Sequence, residues 1–189
     1  MNLKQLTLEN HKRAERSKFA GILLSGEIDP LLYFAYLCNQ VQVYDALESR
    51  LPFKMLGLEQ IRRKTLIGND IIEMEKEHGF SIIDIPVLPS VVKYMECVDE
   101  LESHNPRGLL AHLYVRHFGD MYGGSIIADR VPSSGSMYEF EDKEILKQRL
   151  RNLLDDDMAY DANICFEYAI ELFEELGDWY ESRKESSVD

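Results

Sequence analysis

Three features of the sequence predict an all-α, single-domain, multi-helix bundle. Apolar residues recur at helical spacing through most of the chain. Asp29-Pro30, Pro89-Ser90 and Asn105-Pro106 read as helix openings, and Gly26 and Gly79 as closures. The one strand-like stretch, Ser81 to Val87, has no second strand to pair with and reads as an apolar connector.

The elements follow in order. Leu3 to Leu24 is helical, with a bend near Ser17–Gly21, and Gly26 ends it. Asp29 caps the next helix and Pro30 occupies its first turn; Leu31 to Leu51 follows, stopped by Pro52. A third helical region runs from Leu58 to His78. Pro89 opens a helix to about His104, and Arg107 begins a long one to about Asp129. Pro132 to Ser136 is a loop, and Glu141 to Leu154 is helical. Asp155, Asp156 and Asp157 precede the final helix, Ala162 to about Ser182, where acidic side chains complement the helix dipole. The expectation is one domain of seven or eight helices over residues 1–183, with a disordered tail at 184–189.

The 189 residues, 45% of them hydrophobic, suffice for one sizeable core. A net charge of −13 counts against a broad nucleic-acid surface, which would be basic. Cys38, Cys97 and Cys165 are odd in number and widely spaced, so they read as free thiols in a reducing compartment. No apolar run approaches the ~18 residues of a membrane span, and Met1 to Gln5 lacks a signal-peptide core. The expectation is a soluble, cytoplasmic protein.

Against that frame, the stretch His112 to Ser125 stands out because it places Gly119, Gly123 and Gly124 inside a helix. Each mid-helix glycine costs about 1 kcal/mol relative to alanine. Gly119 and Gly123 share one face, with Gly124 one step round. Such a face admits close packing against another helix or close approach to a flat ligand. Asp120, Tyr114 and Arg116 beside it make the ligand reading worth pursuing.

Other candidates are weaker alone. His11 and Glu15 are spaced i,i+4, which suits either an exposed pair or a metal-ligating imidazole oriented by a carboxylate. Lys4 lies seven residues before His11 on the same face, where it can meet an anionic group. Lys147 and Arg151, also i,i+4, suit either a carboxylate clamp or a solvated face with Glu144. Phe166 and Phe173 read most simply as core. His112 and His117 lie about 140° apart round a helix and cannot share a metal. Glu75-Lys76-Glu77-His78 has no second copy, as a di-iron site would need.

Taken together, these residues resemble the heme oxygenases. Tyr114-Val115-Arg116-His117-Phe118-Gly119-Asp120-Met121-Tyr122-Gly123-Gly124 is similar to that family's distal-helix signature. His11 to Glu15 is similar to its proximal-ligand segment, and Leu172 to Leu176 to its last conserved helix. The resemblance spans nearly the whole chain and implies the heme oxygenase type of helical bundle. It implies cleavage of heme by O₂ and reductant to biliverdin, CO and ferrous iron, with heme as both substrate and cofactor. His11 becomes the axial iron ligand and Glu15 its orienter. Gly119, Gly123 and Gly124 let the distal backbone close over the porphyrin. Asp120 becomes the catalytic carboxylate that holds water beside bound O₂, with Tyr114 and Arg116 in its polar network. Lys4, Lys147 and Arg151 match the residues that meet the propionates, and Phe166 a pocket wall.

There are departures. His117 and Tyr122 stand where the family more often has an aromatic and a small polar residue. The short loop at Ser133–Gly135 and the absence of an anchor resemble soluble bacterial, plastid or cyanobacterial members. That likeness implies electrons from a small acidic ferredoxin, met by Lys4, Lys12, Arg13, Lys147 and Arg151, and a downstream bilin reductase as a further partner. Two rivals are a non-catalytic heme carrier of the same fold and a heme-independent helical-bundle enzyme.

Overall fold

The protein is described by a computed structural model, in which residues 2–186 are placed. Among them there is no strand, and ten α-helices and four 3-10 turns make up the fold.

The N-terminal region forms α1 (Leu3–Leu6), α2 (Leu8–Glu15) and α3 (Lys18–Ser25). The expected bend lies at Ser17, whose hydroxyl accepts from the Ala20 amide and caps α3; Gly26 ends it at φ 79°. Asp29 caps α4 (Pro30–Glu48) by accepting from the Leu31 amide at 2.8 Å, with Pro30 in the first turn as its sequence requires.

The third helical region departs from expectation. In place of one helix from Leu58, the chain makes a short α5 (Phe53–Leu56) and a 3-10 turn, and only then α6 (Lys64–His78). The reason is tertiary. The buried Glu48 carboxylate, at the end of α4, accepts from the amides of Arg63 (2.5 Å) and Lys64 (3.2 Å). It satisfies the orphan donors of a helix that must therefore begin there.

Next come α7 (Pro89–His104), the glycine-bearing α8 (Gly108–Ala128), α9 (Lys143–Arg151) and α10 (Ala159–Ser186). The last helix extends three residues into the stretch expected to be a disordered tail, and residues 187–189 lie outside the described part. α4 packs on α6 and α7, while α10 runs along α8 and also carries α2 and α3. Tyr33, Phe34, Leu37 and Leu47 of α4 are fully buried, and buried residues lie almost all round this helix, which places it at the centre. No single helix among the described residues is long and apolar enough to cross a membrane.

The loop before α9 is pinned from α6. The buried Asp70 carboxylate accepts from the amides of Ser136 (2.9 Å) and Met137 (3.0 Å) and from the Ser134 hydroxyl (3.3 Å). Burial pushes its pKa up, and those donors pull it back. Asp70→Ala would leave two amides unpaired and should destabilise the fold by about 2–4 kcal/mol, read from denaturant unfolding. A change below about 0.5 kcal/mol would mean that the loop does not depend on Asp70.

Candidate functional site

A cavity of about 580 Å³ opens between the N-terminal helices and α8, a size suited to a drug-sized or larger organic ligand. Its near wall carries Lys4, His11, Glu15 and Phe166, and its far wall Tyr114, Arg116, Gly119, Asp120 and Gly123. Two segments about a hundred residues apart in sequence thus face each other across one space.

His11 is held there by the packing of α2 on α10. Asn10 donates to Asn163 at 3.1 Å, and Arg13 to Glu167 at 2.5 Å. The imidazole meets the Phe166 ring edge-on at 5.8 Å. Its Nδ1 lies 3.5 Å from Glu15 Oε2. A carboxylate on that side favours the Nδ1–H tautomer, which leaves the Nε2 lone pair as a potential metal ligand. No group of three or more His, Cys, Asp or Glu among the described residues could hold a metal.

The three glycines of α8 divide. A Cβ built at Gly119 meets nothing within 4 Å, and one at Gly123 meets only Ile127 at 3.8 Å. Both positions present bare backbone to the cavity. Gly124 does not. A Cβ there would lie 2.9 Å from Tyr138 Cδ1 and 3.0 Å from Tyr138 Cβ, and the residue does not line the cavity. The expectation that Gly124 faces the ligand is corrected: its missing side chain admits the Tyr138 ring.

Asp120 is 9% exposed, and its Oδ2 accepts from the Tyr44 hydroxyl across the α4–α8 contact. Burial raises its pKa above the usual carboxylate range, partly offset by the Tyr44 bond and by His117, Arg63 and Arg116. Arg116, one turn earlier, is also buried, with its guanidinium 4.9 Å from the Tyr94 ring centroid. Tyr114 is half-buried and packs on Phe118. His117 lies behind the wall: Nδ1 donates to the Leu113 carbonyl (3.2 Å) and Nε2 faces Glu48 Oε1 (3.3 Å). His112, neutral because burial and the Arg116 charge depress its pKa to about 3, stacks on Tyr94 and takes no part in the cavity.

The polar floor comes from residues that the motifs did not reveal. Tyr36, Gln40, Tyr44 and Tyr138 line the cavity beside Asp120. Gln40 Oε1, Arg116 Nε and the Tyr138 hydroxyl are buried without a hydrogen-bond partner among the described residues. Buried polar atoms are normally paired, so three orphans around one space call for ordered water or a polar ligand. The sequence did carry a signal. Tyr36, Gln40, Tyr44 and Glu48 recur every four residues along a largely buried helix, opposite a second polar stripe of His112, Arg116 and Asp120.

The paired cations also separate. Arg151 lines the cavity mouth; Lys147 does not. Lys147 is 5% exposed, donates to Glu144 at 2.8 Å and lies 3.9 Å from the Tyr122 ring centroid. Where the resemblance implied contact of Lys147 with a ligand, the structure turns its ammonium from the cavity, toward the Tyr122 ring and the Glu144 carboxylate.

The sequence matches the family Heme oxygenase over residues 1–175. It is 27% identical to a heme oxygenase of Rhodella violacea, covering 93% of this chain and 86% of that protein, and 28% identical to one of Guillardia theta, covering 93% and 85%. The fold matches that of heme oxygenase-1 from the cyanobacterium Synechocystis, solved in complex with heme, at a TM-score of 0.80 and 21% identity. That likeness covers 100% of this chain and 98% of the other.

The division of the glycines is testable without any ligand. Gly119→Ala meets open space and gains helix propensity, so its melting temperature should hold or rise. Gly124→Ala must displace the buried Tyr138 ring and should lose about 1–3 kcal/mol. Equal effects at both positions would contradict the assignment.

Proposed function

The chain belongs to the heme oxygenase family, and from that premise we propose that it cleaves heme, with O₂ and a reductant, to biliverdin, CO and ferrous iron. The observation that carries the proposal is the juxtaposition of His11 and Glu15 with the bare backbone of Gly119 and Gly123 and the Asp120 carboxylate across one cavity.

Heme supplies the iron at which O₂ is activated; the chain supplies position, water and protons. His11 Nε2 would hold the iron, and Glu15 fixes the ring's tautomer and direction. Gly119 and Gly123 would leave bare backbone for the opposite face of the ring to approach. Phe166 shapes the proximal wall, and Lys4 and Arg151 at the mouth suit the propionate carboxylates. Asp120, fixed by Tyr44, is the proposed catalytic acid. Its raised pKa lets it hold or release a proton nearer neutral pH than an exposed carboxylate can. The orphaned atoms of Gln40, Arg116 and Tyr138 would anchor the water through which that proton passes. Tyr114 borders the same space.

A ferredoxin would reach the mouth through a smaller basic patch than the sequence suggested. Arg13 is ion-paired with Glu167 and Lys147 with Glu144, which leaves Lys4, Lys12 and Arg151. A bilin reductase would take the product downstream.

Addition of hemin and then reductant under air tests the function. A Soret band followed by bilin absorbance supports the proposal; a stable Soret band indicates a carrier, and no Soret band a heme-independent protein. His11→Ala should alter the ferric heme spectrum, and an unchanged spectrum would assign the iron to another ligand.

Asp120→Asn should keep the Soret band and lose bilin formation. It should also melt higher at pH 7. A carboxylate with a raised folded pKa contributes stability below its unfolded value and loses it as pH rises through the folded one, so the gain should shrink toward pH 3.8. Normal bilin yield from this variant would overturn the role of Asp120.

Turnover driven by reduced ferredoxin should fall steeply with salt while turnover driven by ascorbate does not. Equal salt dependence would count against the patch.

A further inference from the structure

Tyr122 is half-exposed at the cavity mouth, one helical turn beyond Phe118, and it touches both cations that the sequence pairs. Its ring covers the Lys147 ammonium at 3.9 Å, and its hydroxyl accepts from the Arg151 guanidinium. Arg151 also lies 5.5 Å from the Phe118 ring centroid, so two aromatic residues of α8 fix its direction. The Lys147 ammonium, beneath an aromatic face and bonded to Glu144, is turned from the cavity and does not line it. A guanidinium that gives one of its five N–H groups to Tyr122 keeps the rest for a carboxylate.

We propose that Tyr122 is a positioning residue that decides which cation receives the ligand's carboxylate, presenting Arg151 to the cavity and withholding Lys147. The inference rests on the heme-binding reading above and deepens it. Removal of the ring would convert the mouth from a one-cation to a two-cation site, because Lys147 stands one helical turn from Arg151 on the same helix face.

The test uses Soret titrations of the full chain with hemin and with hemin dimethyl ester, whose carboxylates are masked. The native protein should prefer hemin by about tenfold, and Arg151→Gln should lose most of that preference. Lys147→Met, close in volume, should change hemin affinity by less than about twofold in the native background. In a Tyr122→Ala background the same Lys147→Met change should weaken hemin by roughly three- to tenfold. Tyr122→Phe keeps the ring over Lys147 and so should keep Lys147→Met silent, while the preference for hemin falls about threefold as Arg151 loses its anchor. Melting temperatures confirm that each variant is folded.

A Lys147→Met effect of equal size with and without the Tyr122 ring would overturn the proposal, whether that effect is large or absent. Failure of the native protein to bind hemin at all would instead overturn the functional reading beneath it.

Discussion

The Tyr44 hydroxyl bound to the Asp120 carboxylate is the contact on which the rest of the site depends. It joins the two central helices, α4 and α8, at the depth where the cavity ends. A buried carboxylate without such a donor would be costly. With it, Asp120 is fixed in direction, while burial still holds its pKa above the usual carboxylate range. One turn further along α4, Glu48 repeats the device in the opposite direction, facing His117 of α8 and starting α6 through two amides. α4 is therefore both core and chemistry. Its apolar residues fill the interior, while one polar stripe forms the floor of the cavity and ties it to the neighbouring helices.

The glycines of α8 serve the same floor in two ways. Gly119 and Gly123 omit side chains and so present bare backbone to the cavity. Gly124 omits one so that Tyr138 can enter beneath the helix, and Tyr138 is carried there by a loop that Asp70 holds. A helix that gives up about 1 kcal/mol at each glycine thus obtains an open wall and a closed floor from adjacent positions.

Where the controlling spacing was local, the sequence was readable. Caps at Asp29 and Pro30, stops at Gly26 and Gly79, the His11–Glu15 pair and the Gly119–Asp120–Gly123 pattern all lie within a few residues of chain. What was missed depends on partners distant in sequence. The helix start at Lys64 is set by Glu48, and Lys147 is turned from the cavity by Tyr122, whose bulk stands in the sequence but whose direction only packing decides. The Tyr36–Gln40–Tyr44–Glu48 stripe was legible in principle, since four polar residues at four-residue spacing are anomalous in a buried helix. Charge totals were the weakest guide: a chain of net charge −13 still places Lys4 and Arg151 at the mouth of this cavity.

The central proposal is geometric: a flat ring would lie between His11 and the bare backbone of α8. Proton chemical shifts in the diamagnetic complex with ferrous heme and CO test it most directly, because ring currents act only over short distances. The account predicts that the Hα protons of Gly119 and Gly123 shift strongly while those of Gly124 and Gly108 shift little. Strong shifts at Gly124, or none at Gly119 and Gly123, would contradict it.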